Sequence, residues 1–89
     1  MINKVMPGQV VISKSGRDKG RFFIIKDILD DDYVLITDGD LRKLDKPKKK
    51  KLKHLHFSNY NFSSDNEPEL TNKKIKAYLK SFNDRGTKR

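Results

Sequence analysis

The sequence predicts a mainly β domain, a small barrel followed by one C-terminal α-helix. Residues 8–13 (GQVVIS), 21–28 (RFFIIKDI) and 33–37 (YVLIT) are short β-branched and aromatic runs bounded by glycine and aspartate, and they read as strands. Leu52, Leu55 and Phe57 in KLKHLHF suggest a further short strand, with Leu55 and Phe57 on one face. A chain of 89 residues can bury only a small core. Laid flat, a few short strands would leave both sheet edges open, and curling into a barrel removes that exposure.

Each element has a local reason. Period two places Val10 and Ile12 on one face of the first strand. It places Phe23, Ile25 and, at the end of the run, Asp27 on one face of the second, with Phe22, Ile24 and Lys26 on the other. A strand apolar on both faces near its start suits a tightly closed barrel. Phe23 is expected in the core, whereas Tyr33 beside the acidic turn could serve the core or stack on a base. Asp30–Asp32 and Asp38-Gly39 supply turns. The connection at 39–51 is long, polar and basic, and predicts a mobile surface loop.

Residues 58–70 read as a polar connector. Thr71 can cap a helix running to about Phe82, with Ile75, Tyr78, Leu79 and Phe82 as its apolar stripe and Leu70–Ile75 as a hydrophobic staple. Asn83 to Gly86 end it. So short a helix needs tertiary burial, and packing on its own barrel supplies it. The expected organisation is a barrel over 1–57, a connector over 58–70, a helix over 71–83 and a frayed tail over 84–89.

Net charge is +9, and its location is informative. Residues 1–39 balance six basic against six acidic side chains, whereas residues 40–57 carry eight against two. The excess centres on Lys46 to Lys53, a pattern that points to a polyanion partner. The Asp30–Asp32 turn, if it lies on the far side of the barrel, would polarise the molecule and orient it on such a partner. There is no cysteine, so disulfides and thiolate metal sites are excluded. His54 and His56 have only Asp45 as a nearby acid and do not make a zinc site, so no metal and no cofactor is expected. No window approaches a membrane span and the start has no apolar signal core, which predicts a cytoplasmic protein. No nucleophile–base arrangement or nucleotide fingerprint is present, and the expectation is a non-catalytic protein.

The stretch Ser13 to Arg21, SKSGRDKGR, decides among functions. It is not a P-loop: its glycines are four apart, Arg21 follows where Lys-Ser/Thr is needed, and a strand comes next, so no helix terminus faces a phosphate. A plain hairpin turn, with Gly16 and Gly20 relieving positive φ, is one reading. The other is a nucleic-acid surface, since Lys14, Arg17, Lys19 and Arg21 are free to reach out, and Ser13 and Ser15 can bond phosphate or 2′-OH oxygens.

The run PGQVVISKSGRDKGRFFIIKDILDDDYVLITDG resembles a KOW motif, the glycine-centred strand–loop–strand unit of several ribosomal proteins and transcription elongation factors, with Gly20 at its central glycine. DGDLRKLDKPKKKKLKHL is similar to the stretch that follows in the archaeal/eukaryotic-type large-subunit ribosomal protein fourteen family, matched here at Asp38-Gly39, Arg42, Lys48 to Lys51 and Lys53-His54-Leu55. The resemblance covers roughly residues 7–57. It implies an SH3-like barrel that binds structured RNA, in particular ribosomal RNA of the large subunit.

The expected RNA-binding face then has two halves. The first loop contributes Lys14, Ser15, Gly16, Arg17, Lys19, Gly20 and Arg21. The second contributes Arg42, Lys43, Lys48, Lys49, Lys50, Lys51, Lys53 and His54. Arginines suit bidentate phosphate contacts, and lysines give register-free attraction. Such a module would be a monomer when free. The rival reading is a protein-interaction domain of a transcription or translation factor that binds polymerase or a partner protein.

Overall fold

A computed structural model describes residues 5–62 and 71–86, with side chains described through residue 83. The strands are β1 (Gln9–Ser13), β2 (Phe22–Ile28), β3 (Tyr33–Thr37), β4 (Lys48–Lys51) and β5 (Leu55–Asn61), followed by the helix α1 (Asn72–Gly86). They form one antiparallel sheet in the order β4-β3-β2-β1-β5. Only a 3₁₀ turn, Leu52–His54, joins β4 at one edge to β5 at the other. Four strand spacings would separate flat edges by about 19 Å. The four residue steps from Lys51 to Leu55 span at most about 14 Å. The sheet therefore curls until its edges approach at that end.

The alternation seen in sequence explains the two cores. Val11, Phe23, Ile25, Val34, Ile36 and Leu55 fill the concave side, with Val5, Leu52 and Phe57 packed against them. Val10 and Ile24 face outward and meet Ile75 and Leu79 of α1, flanked by Phe22, Leu44, Phe62, Tyr78 and Phe82. Ile75 and Leu79 are fully buried, each contributing about 1.5–3 kcal/mol of apolar burial. The helix thus lies on the outer face of β2, as its stripe requires. Two asparagines fix it there: Asn83 Oδ1 accepts from Phe22 N–H (2.9 Å) and Asn72 Oδ1 from Leu44 N–H (2.7 Å). Thr71 Oγ1 caps the helix by accepting from Lys74 N–H at 3.1 Å.

Several boundaries differ from those expected. The tetralysine is not loop but the edge strand β4, because its backbone pairs with β3 from Tyr33↔Lys51 to Ile36↔Lys48. The rest of that connection is tethered through the Leu44–Asn72 bond and through Asp38 N–H and Gly39 N–H, which both donate to the Arg42 carbonyl. Strand β5 runs to Asn61, past the expected barrel end at residue 57. Its polar half is held by Ser58 Oγ–H on the Val10 carbonyl (2.7 Å) and by Phe62 N–H on the Gly8 carbonyl (2.7 Å). Lys53 and His54 sit in the 3₁₀ turn instead of a strand, since the chain must cross there between sheet edges. A register shift after Ile25 takes Asp27 out of line with Phe23 and Ile25. The helix continues to Gly86, beyond its expected end. Leu70 of the expected staple, most of the 58–70 connector and the final three residues lie outside the described residues.

Candidate nucleic-acid interface

The loop joining β1 to β2 is a closed hairpin turn. Gly20 N–H donates to the Ser13 carbonyl (2.8 Å) and Ser13 N–H to the Arg21 carbonyl (3.0 Å), while Gly16 and Gly20 adopt the positive φ expected of them, +83° and +88°. Asp18, set among basic residues, turns back toward the body of the protein. Its Oδ1 accepts from Ser13 Oγ–H at 2.8 Å, its Oδ2 from Lys48 Nζ at 3.2 Å, and Lys50 Nζ lies 3.4 Å from Oδ1. Lys50, only 7% exposed, also donates to the Ser15 carbonyl at 3.1 Å.

Strand period two splits the tetralysine. Lys48 and Lys50 point inward, in register with Ile36 and Val34, and anchor the loop through Asp18. Lys49 and Lys51 point to the opposite face, over the Tyr33 ring, with Nζ 4.6 and 5.6 Å from its centroid. The two stretches expected to share a surface are therefore adjacent, joined by one carboxylate. Ser13 is buried with its hydroxyl engaged, so it does not present a phosphate-binding group. Arg21 is not free either: its Nη2 lies 3.0 Å from Oδ2 of buried Asp38. The other oxygen of Asp38 accepts from the N–H groups of Asp40 and Arg42, both at 2.9 Å. Asp38 thus fixes both the Arg21 side chain and the Arg42 backbone.

Arg17, Arg21, Arg42 and Lys48 line an open cleft of about 290 Å³, with Asp18 at its wall and Phe23 and Leu41 supplying apolar surface. Among the described residues neither the Arg17 nor the Arg42 side chain has an ionic partner. The remaining expected residues spread outward. Lys19 and Gly20 are exposed, Ser15 is half-buried and Gly16 exposed, with an added Cβ at Gly16 lying 3.7 Å from Lys50 Nζ. Lys43 borders a shallow depression with Asp40, Leu41, Asp45 and Lys46. Lys14 and Lys53 line a separate groove with Asp30 and Asp31. His54 is half-buried, and its carbonyl accepts from Lys14 N–H at 2.8 Å.

The acidic turn is not opposite the lysines. Asp32 accepts from Leu52 N–H at 2.8 Å, so the turn abuts the end of β4. The N–H groups of Asp32 and Tyr33 on the Asp30 carboxylate, with Lys49 nearby, hold its pKa below the usual 3.8. The acids of this turn therefore form no far-side negative pole, because they close the β2–β3 hairpin beside its neighbouring edge strand. Residues of the candidate site that sequence reasoning missed include Asp18 and Asp38. The available signal was an acid inside the first basic stretch and another in the turn just before the second, although no local pattern names their partners.

Burial of the Asp18 carboxyl would push its pKa up, but the Ser13 hydroxyl, Lys48 and Lys50 together hold it below 3.8. A carboxyl lowered on folding contributes stability that is complete above its unfolded value and is lost as pH falls through its folded one. Asp18→Asn is therefore expected to be less stable than wild type above pH 3.8, the gap closing at lower pH. Urea midpoints measured between about pH 2 and pH 6 check this. A gap independent of pH would remove the ionic role of Asp18.

No protein-family model matches the chain, and no curated protein matches it either. Among the described residues no helix is long and apolar enough to cross a membrane.

Proposed function

We propose that this protein is a non-catalytic RNA-binding module of the KOW type, an SH3-like barrel that docks on ribosomal RNA of the large subunit. The observation that carries this reading is the convergence of Arg17, Arg21, Arg42 and Lys48, from three separate segments, on one cleft. Lys49 and Lys51 add positive charge on the other face of β4, over Tyr33. Guanidinium groups around an open cleft suit phosphate oxygens, and lysines on a rigid strand add long-range attraction that releases counterions. The curled five-strand sheet suits the SH3-like barrel that the KOW resemblance implies. On this reading the protein works in the cytoplasm as part of the ribosome or bound to it, needs no cofactor, and is a monomer when free.

The test separates anchoring lysines from contacting ones. Replacing all four lysines would also cut the Asp18 anchor, so the informative variant is Lys49→Ala/Lys51→Ala. Binding to purified large-subunit ribosomal RNA is measured over rising salt. Wild type is expected to weaken steeply, and the double variant to lower the log–log slope by about 1–2. Salt-insensitive binding, or none, would overturn the RNA reading and leave a protein partner as the rival.

A further inference from the structure

The cleft has more than charge. A surface that only tracks a phosphate backbone needs cations, yet here Leu41, 69% exposed, stands beside the buried Phe23 and gives the cleft an apolar wall. Leu41 belongs to neither core cluster, so its place on that wall is not required by packing. Its position is fixed by neighbours: Asp38 Oδ1 holds the N–H groups of Asp40 and Arg42 on either side of it. The cations are graded too. Arg21 and Lys48 are committed to Asp38 and Asp18, while Arg17 and Arg42 have no ionic partner among the described residues. Buried Nε of Arg21 has no hydrogen-bond partner among the described residues.

A volume of about 290 Å³ lies at the small end of ligand sites. That is room for one ring system, not for a helix. An apolar wall next to two guanidiniums without ionic partners matches a base joined to its own phosphate. We propose that the cleft is a subsite for a single unstacked nucleotide of the bound RNA, its base laid on Leu41 and its phosphate taken by Arg17 and Arg42. This rests on the RNA-binding reading and narrows it: the preferred target is RNA with an extruded residue, such as a bulge, over continuous duplex. Single-stranded and bulged nucleotides offer exposed base faces that a paired helix withholds.

Three labelled hairpins of equal length provide the test: fully paired, with a one-nucleotide bulge, and with an abasic residue in that bulge. Fluorescence anisotropy reads the affinity of wild type, Leu41→Ala and Lys49→Ala/Lys51→Ala for each. Wild type is expected to bind the bulged hairpin about five- to ten-fold more tightly than the other two. Leu41→Ala is expected to bring that ratio close to one by weakening the bulged complex, with an unchanged thermal midpoint because the side chain is exposed. The double lysine variant should weaken all three complexes and keep the ratio. Equal affinity of wild type for bulged and abasic hairpins, or a ratio that survives Leu41→Ala, would refute the subsite while leaving RNA binding standing. Absence of salt-sensitive binding to all three would refute both.

Discussion

Asp18→Ala is expected to destabilise the fold and to loosen the basic loop from β4. The substitution leaves Lys50 with an ammonium only 7% exposed and a single remaining acceptor, the Ser15 carbonyl. It also strips the ionic partner from Lys48 and one of two acceptors from the Ser13 hydroxyl, which keeps the Ser15 carbonyl. Removing one member of a buried ion pair costs more than the pair was worth, because the stranded charge stays desolvated; the expected loss here is about 2–4 kcal/mol. Lys48, at 28% exposed, can partly rehydrate, which keeps the figure below the cost of a fully enclosed pair. Chemical denaturation measures the loss. Asp18→Ala/Lys50→Met should recover at least half of it, since an apolar chain of similar length fills the space without a charge. A loss below about 0.5 kcal/mol for the single variant would place it among ordinary surface substitutions and refute the anchor.

The second large effect is expected at Gly39. Its φ is +75°, and a Cβ there would run into the carbonyl oxygen of Asn72 while lying 2.9 Å from the Lys76 amide nitrogen. Both atoms belong to the backbone of the first turns of α1, which cannot swing aside as a side chain would. Gly39→Ala therefore adds backbone strain to overpacking, for an expected cost of about 3–5 kcal/mol. Displacing the start of α1 also breaks the bond from Leu44 N–H to Asn72 and uncovers Ile24. Gly20→Ala is the control. It has the same kind of φ, +88°, but nothing within 4 Å of the added carbon, so only the conformational penalty of about 1 kcal/mol remains. Thermal melts followed by circular dichroism compare them. If Gly39→Ala melts no lower than Gly20→Ala, the helix does not sit against that turn.

These expectations show unequal legibility along the chain. The first three strands were visible because each is a short β-branched and aromatic run that glycine or aspartate bounds. The helix was visible because Ile75, Tyr78, Leu79 and Phe82 recur at helical spacing. The fourth strand was hidden: four lysines carry a solvent signal, and only pairing with β3 makes them a strand. The end of β5 was hidden for a related reason, since Ser58 and Asn59 resemble a connector until Ser58 meets the Val10 carbonyl. In the site, the basic residues could be chosen from composition, but not sorted. Lys48 and Lys50 face inward to Asp18, whereas Lys49 and Lys51 lie over Tyr33.

By itself the sequence determined a short β-rich chain with a basic middle, a glycine-shaped basic hairpin and one amphipathic helix. Local periodicity and turn chemistry are enough for that, because both act between residues a few positions apart. Tertiary structure alone decided that the tetralysine is an edge strand, that Asp18 joins loop to strand across thirty residues, and that Asp38 sets Arg21 and Arg42 around one cleft. Those pairings depend on how the sheet curls, and a curled sheet brings together charges that no local spacing connects.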